Sequence, residues 1–129
     1  MLPVIGKLMV GVRCRYHVFN AVFRGQGFEI ADQAFQFQEP KLRDHLHVLL
    51  SIDVVKTPFS PRRRILPVRS GDKDFPVSWV RSYEKGRVFY SSLGHGIKVY
   101  SNAMLLAHFL AGIQYAMGDL KADSRPSGG

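Results

Sequence analysis

His95 is the residue most suggestive of chemistry, because it sits between Gly94 and Gly96 directly after an apolar segment. In open α/β sheets ligands gather outside the carboxyl ends of strands. An imidazole flanked by two glycines there has an adaptable backbone and an accessible ring. Three roles are open to it: general acid or base, metal ligand, or a loop residue bonded to nearby carbonyls. Asp32 follows the short β-prone run Phe28 to Ala31 and reads as a carboxylate at a strand end. It could orient an imidazole, hold a sugar hydroxyl, or serve only as a turn residue. His17, beside Phe19 and Asn20, either joins His95 in a polar pocket or sits in solvent. His45 and His47 flank Leu46, so strand alternation would put both on one face. Two imidazoles at that spacing can share a metal, but no third ligand is suitably spaced, so a solvated edge is the expectation. His108 falls inside an apolar segment and reads as a buried, hydrogen-bonded histidine. The single cysteine, Cys14, can form no internal disulfide and reads as a small hydrophobe. No metal site is expected, and no cofactor is indicated.

Several established motifs are absent. The chain has no G-x-S-x-G elbow, P-loop, G-x-G-x-x-G or H-E-x-x-H. Its net charge of +8 comes largely from Lys56, Arg62, Arg63, Arg64, Arg69 and Lys73, in a segment punctuated by Pro58, Pro61, Pro67 and Gly71. That segment reads as a solvated loop. Only Phe59 interleaves it, so it lacks the aromatic stacking expected of a nucleic-acid site.

The elements that must position these residues follow from periodicity. Leu8, Val10 and Val12 alternate in a strand over Lys7 to Arg13. Cys14 to Gly27 reads as a loop, and Asp32 to Gln38 as a second strand or irregular edge. The run HVLLSI, His47 to Ile52, reads as a strand buried on both faces, as in a central strand of an α/β sheet. Val77 to Tyr83 and Arg87 to Ser92 form an antiparallel hairpin across Glu84, Lys85 and Gly86. A helix spans Asn102 to Met117, with Ser101 or Asn102 as N-cap and Gly118 at its C-terminus. Being apolar nearly all round, it is expected to be mostly buried. Residues 121 to 129 are polar and expected to fray, which leaves one domain over residues 1 to 120. The 129 residues, 46% hydrophobic and 22% charged, suit one packed domain. No apolar run is long enough to span a membrane. The start lacks a signal-peptide pattern, which implies a cytoplasmic location, with a signal upstream of Met1 still open.

Three blocks carry a family resemblance. FNAVFRGQGFEIADQAFQF (Phe19 to Phe37), HVLLSID (His47 to Asp53) and VSWVRSYEKGRVFYSSLGHG (Val77 to Gly96) resemble successive motifs of the ThuA-like, trehalose-utilisation family, and HFLAGIQYAMGDLKAD continues the match. The resemblance implies a flavodoxin-like, class I glutamine amidotransferase-like three-layer α/β domain with its N-terminal half missing. It also implies a role in bacterial trehalose or disaccharide catabolism without a defined reaction. Carried over by position, it places His17, Asp32, Ser92, Gly94 and His95 in the pocket, with His95 and Asp32 as catalytic candidates and Trp79 and Tyr90 as aromatic neighbours. Val18 stands where the family has Pro, Gln33 where it has Glu, and Glu84 where it has Gly. The implied partner is a small-molecule sugar, with neither nucleic acid nor membrane. The sheet would be completed by a second copy or by the missing half. The alternatives are a non-catalytic carbohydrate-binding or interaction module, and an inactive fragment.

Overall fold

A computed structural model describes residues 2–37, 42–57 and 74–128. Five strands form one sheet: β1 (Leu2–Val12), β2 (Phe28–Gln36), β3 (His47–Asp53), β4 (Asp74–Tyr83) and β5 (Gly86–Ser91), in the order β2-β1-β3-β4-β5. Helix α1 (Ala103–Met117) follows, and short 3-10 helices occupy Val18–Phe23, Leu42–Asp44 and Ile97–Ser101. The chain is thus a mixed α/β domain, but every described strand pairing is antiparallel. The expected antiparallel β4–β5 hairpin is present, and the other described pairings are antiparallel as well. Parallel neighbours need a long crossover, whereas β4 and β5 meet across a tight turn at Glu84 and Lys85. Glu84 takes the left-handed conformation there, with φ of 50°.

The reading of β3 as central and doubly buried holds, for a different reason. Every residue from His47 to Ile52 is buried. Helix α1 packs near β5 and the Val18–Phe23 turn, while the sheet curls so that β2 approaches β4. The Val18–Phe23 turn, through Asn20, and the C-terminal segment, through Ser127, also lie against β3, so its burial needs no helix layer on both faces. The β3–β4 register shifts between Val48 and Ser51, and Pro76 lies opposite Ser51 at this irregularity. Proline has no N–H for the ladder, so an interior strand tolerates it where the pairing is already broken.

Residues 28 to 36 form one strand, which moves Asp32 from a strand end to mid-strand. In β2, Ile30, Asp32, Ala34 and Gln36 are all buried, and their neighbours are more exposed. The expected loop from Cys14 to Gly27 contains a 3-10 helix that inserts Phe19 and Phe23 into the core. Asn20 fixes this segment, because its buried Nδ2 donates to the carbonyls of Leu49, at 3.0 Å, and Arg13. The basic stretch Pro58 to Lys73, with Phe59, lies outside the described residues, as does Gln38.

Helix α1 starts where expected. Asn102 Oδ1 accepts from the amides of Met104 and Leu105, each at 3.1 Å. It ends at Gly118, whose φ of 93° is the left-handed cap that glycine adopts without strain. Its burial differs from expectation. Leu105, His108, Gly112 and Tyr115 face the core, whereas Leu106, Leu110, Ile113 and Met117 are exposed, Met117 at 70%. With one α-helix among the described residues packed against one sheet, only one stripe of an all-apolar helix finds a partner there. At Gly112 the backbone lies so close to Phe89 that an added Cβ would be 2.2 Å from its ring.

Residues 121 to 128 have no regular secondary structure, yet the expected frayed tail is tied down. The Val48 amide donates to Ser127 Oγ at 2.8 Å, and the Ser127 and Gly128 amides donate to the Leu46 and Arg43 carbonyls at 3.0 Å.

Candidate functional site

The mid-strand position of Asp32 turns its carboxylate into a clamp. One oxygen accepts from the Gly94 amide at 2.8 Å and the other from the Gly96 amide at 2.6 Å. Both oxygens are therefore engaged on either side of His95. Two further constraints fix the loop. Tyr100 Oη donates to the Gly94 carbonyl at 2.7 Å, and Gly94 has φ of 132°. A Cβ at Gly94 would lie 2.8 Å from Tyr100 Oη, and one at Gly96 would lie 3.0 Å from the Ala31 carbonyl oxygen. Glycine at both positions is thus a requirement of close packing, where composition suggested only flexibility. The His95 side chain is exposed.

The segment leading into this loop carries the aromatic candidates. Ser92 donates its amide to the Val77 carbonyl at 2.8 Å. Tyr90 is hydrogen-bonded to Ser92, and burial raises its hydroxyl above the usual phenol value. Trp79 stacks on Tyr90 with ring centroids 4.9 Å apart and planes 16° apart, and Phe37 joins at 5.4 Å. The Trp79 indole N–H is buried and has no hydrogen-bond partner. A buried donor left unpaired is costly, so this is a polar group with unspent capacity beside the loop.

A groove of about 640 Å³ adjoins the same loop, lined by Lys7, Glu29, Ile30, Ala31, Lys98, Ser101 and Asn102. The register pairs Lys7 with Ala31 and Met9 with Glu29, so Lys7 and Glu29 share one face of the sheet. Lys98 and Ser101 come from the 3-10 helix that follows Gly96. None of these four is a candidate site residue by sequence. Lys7 and Glu29 meet only through the β1–β2 register, and Lys98 and Ser101 join them only through the 3-10 helix that packs near β2.

His17 lies elsewhere. Its Nε2 bonds the Asp123 carbonyl at 2.8 Å, so that nitrogen carries the proton, and Nδ1 accepts from the Phe19 amide at 3.4 Å. Burial holds it below the ordinary histidine value and neighbouring His47 adds to this, although the bond to Asp123 acts the other way. The two rings are 4.8 Å apart. His47 Nδ1 bonds the Arg125 carbonyl at 2.7 Å, and its Nε2 is buried without a partner. The structure thus groups His17 with His47 and the tail, not with His95. His45 sits in a turn outside β3 and is exposed, so the one-face pairing with buried His47 does not form. His108 matches its expectation: Nδ1 bonds the Phe19 carbonyl at 3.2 Å and Nε2 bonds Ser78 Oγ at 2.8 Å. Burial lowers it to about 4. Cys14 is exposed, contrary to a buried hydrophobe.

Among the described residues no cluster of three or more histidine, cysteine or acidic side chains could hold a metal. No described helix is long and apolar enough to cross a membrane. No curated protein and no solved structure matches the chain. The sequence model of one family, described as trehalose utilisation, matches residues 5–116 and so spans both the Asp32 clamp and the loop that it holds. The chain therefore belongs to the ThuA, trehalose-utilisation, family.

Proposed function

We propose that this chain binds a disaccharide or a derived keto-sugar at the Gly94–Gly96 loop, with His95 as the polar group that meets the sugar. The observation that carries the reading is the double bond of Asp32 to the Gly94 and Gly96 amides, which fixes the backbone around an exposed imidazole. A prearranged donor or acceptor loses little freedom on binding. The Trp79–Tyr90 stack, in the segment leading to the loop, is an aromatic surface of the kind that packs on the apolar face of a pyranose. The adjoining groove has room for a second ring. The Ser92 and Gly94 amides hold the segment in place through Val77 and Asp32.

The amidotransferase-like three-layer arrangement belongs to this proposal too. A second copy or a further N-terminal half would complete it. The expected outcome is saturable binding of trehalose by calorimetry, weakened about tenfold by His95→Ala, the loss of roughly one hydrogen bond. Equal affinity in the wild type and the variant refutes the reading.

A catalytic reading uses the same imidazole as general acid or base. One observation sets it behind the binding reading: both Asp32 oxygens hold backbone amides, so Asp32 is not available as a second proton carrier. Turnover of trehalose or its keto derivative that disappears in His95→Ala would put catalysis ahead.

A further inference from the structure

At the opposite end of β5 from His95, roughly 17 Å away along the strand, the β4–β5 turn and the C-terminus of α1 enclose a cleft of about 330 Å³. Lys85, Arg87 and Lys121 line it, together with Ser82 and Ser124, and Glu84 is the one carboxylate among its lining residues. Three cations thus face one anion. Lys85 and Lys121 make no ion pair among the described residues.

Arg87 is held in place. Its Nε donates to the Tyr115 carbonyl at 2.9 Å. Its guanidinium lies where a side chain at residue 118 would stand: a Cβ on Gly118 would be 2.5 Å from a terminal nitrogen and 3.3 Å from Cζ. The left-handed glycine that ends the helix therefore also makes room for the arginine. Only Nε is spent on the helix carbonyl, so the terminal nitrogens are left for another acceptor. The Ser82 and Ser124 hydroxyls bond each other at 2.8 Å, which leaves one hydroxyl proton as a further donor on the wall. A planar guanidinium with fixed orientation, flanked by two ammonium groups, is the donor set that matches tetrahedral oxyanions.

We infer that this cleft is an anion site for a phosphate group, either free or carried on a small sugar. It is independent of the His95 loop. The C-terminus of α1 attracts cations and opposes an anion, so phosphate binds here only if Arg87, Lys85 and Lys121 together outweigh that dipole. Because these cations are exposed, binding should weaken as salt rises.

The test is an amide NMR titration of the whole chain at constant ionic strength, with inorganic phosphate, glucose 6-phosphate, glucose and chloride as separate probes. The expected result is saturable shifts at residues 84–87 and 118–124 with the two phosphates only. The double variant Lys85→Gln/Lys121→Gln, which breaks no ion pair among the described residues, should weaken phosphate about tenfold or more. Arg87→Lys keeps the charge but loses the fork, and should weaken it further than a charge-preserving surface exchange would. Tighter binding of glucose 6-phosphate than of phosphate assigns the site to a phosphorylated sugar, and equal binding assigns it to the phosphate alone. Identical shifts with chloride, or unchanged phosphate affinity in the double variant, overturn the inference.

Discussion

Replacing Asp32 tests whether the His95 loop is held as described. Its carboxylate is buried, at 6% exposure, and takes the Gly94 amide at 2.8 Å and the Gly96 amide at 2.6 Å. Hydrogen bonds to a charged group contribute about 1.5–3 kcal/mol each. The two glycines are only partly buried, so water can reach the freed amides and the lower end applies. Asp32→Ala loses both bonds and should cost about 3 kcal/mol. Asp32→Asn keeps one acceptor but turns an NH₂ towards the other amide, and should cost about 2 kcal/mol. For a domain of this size about 3 kcal/mol lowers Tm by on the order of 10 °C. Urea unfolding followed by fluorescence is a convenient assay, because Trp79 is the only tryptophan and stacks on Tyr90 in the segment leading to the loop. Hydrogen exchange at Gly94 and Gly96 gives the local readout and should accelerate in both variants. If both variants unfold within about 0.5 kcal/mol of the wild type, or if those two amides keep their protection, the clamp does not exist.

His108 should remain neutral from pH 8 to 5 and protonate near pH 4, as followed by imidazole NMR. Because its folded value is lowered, the neutral ring favours the folded state above about pH 6.5, and that contribution fades as pH falls from 6.5 towards 4. About 3 kcal/mol is at stake in full. His108→Leu should flatten this acid dependence, and an unchanged slope would show that another group causes it. Gly112→Ala should destabilise the fold by about 1–3 kcal/mol through overpacking against Phe89, whereas a neutral or stabilising effect in urea would mean that the helix sits further from β5. Ile113→Lys and Met117→Lys, on the exposed stripe of α1, should each change stability by no more than about 0.5 kcal/mol in the isolated chain, and a loss of several kcal/mol would show that this stripe is covered.

Local signals in the sequence were legible wherever the cause is local. The Asn102 cap, the Gly118 terminus and the β4–β5 turn depend on residues within a few positions of one another, and each falls where its chemistry places it. The apolar run in β3 correctly announced double burial. It could not say what does the burying, because a curled antiparallel sheet and a helix-flanked parallel one ask for the same residues. Helix α1 shows the converse. Apolar residues all round imply burial only if partners exist on every side, and that is a property of the assembly rather than of the helix. The Asp32 clamp spans more than sixty positions, and the tail reaches back from Ser127 to Leu46 and Val48. Neither contact leaves a trace in local spacing. Asp32 reads as a strand-end carboxylate because the local pattern divides β2 in two, and the continuous strand puts its side chain on the buried face in mid-strand.

The five histidines show what the fold adds to such a reading. By sequence, His95 stands out for its two flanking glycines, His45 and His47 for their spacing and His108 for its apolar surroundings, but no neighbour tells which ring nitrogens are engaged. The ring nitrogens separate them. His17 and His108 each have both nitrogens engaged, and burial lowers both. A neutral ring with two bonds to its own chain has nothing left for a ligand. His47 spends one nitrogen on the tail and buries the other behind it. His45 and His95 are the exposed pair. His45 stands in an ordinary turn, while His95 stands between two amides fixed by a single buried carboxylate. A side chain placed for an external partner needs both an open ring and an immobile backbone, because freedom in either would have to be given up on binding. Of the five, His95 alone combines them, so the argument for a site here rests on the geometry that Asp32 imposes and not on the presence of a histidine.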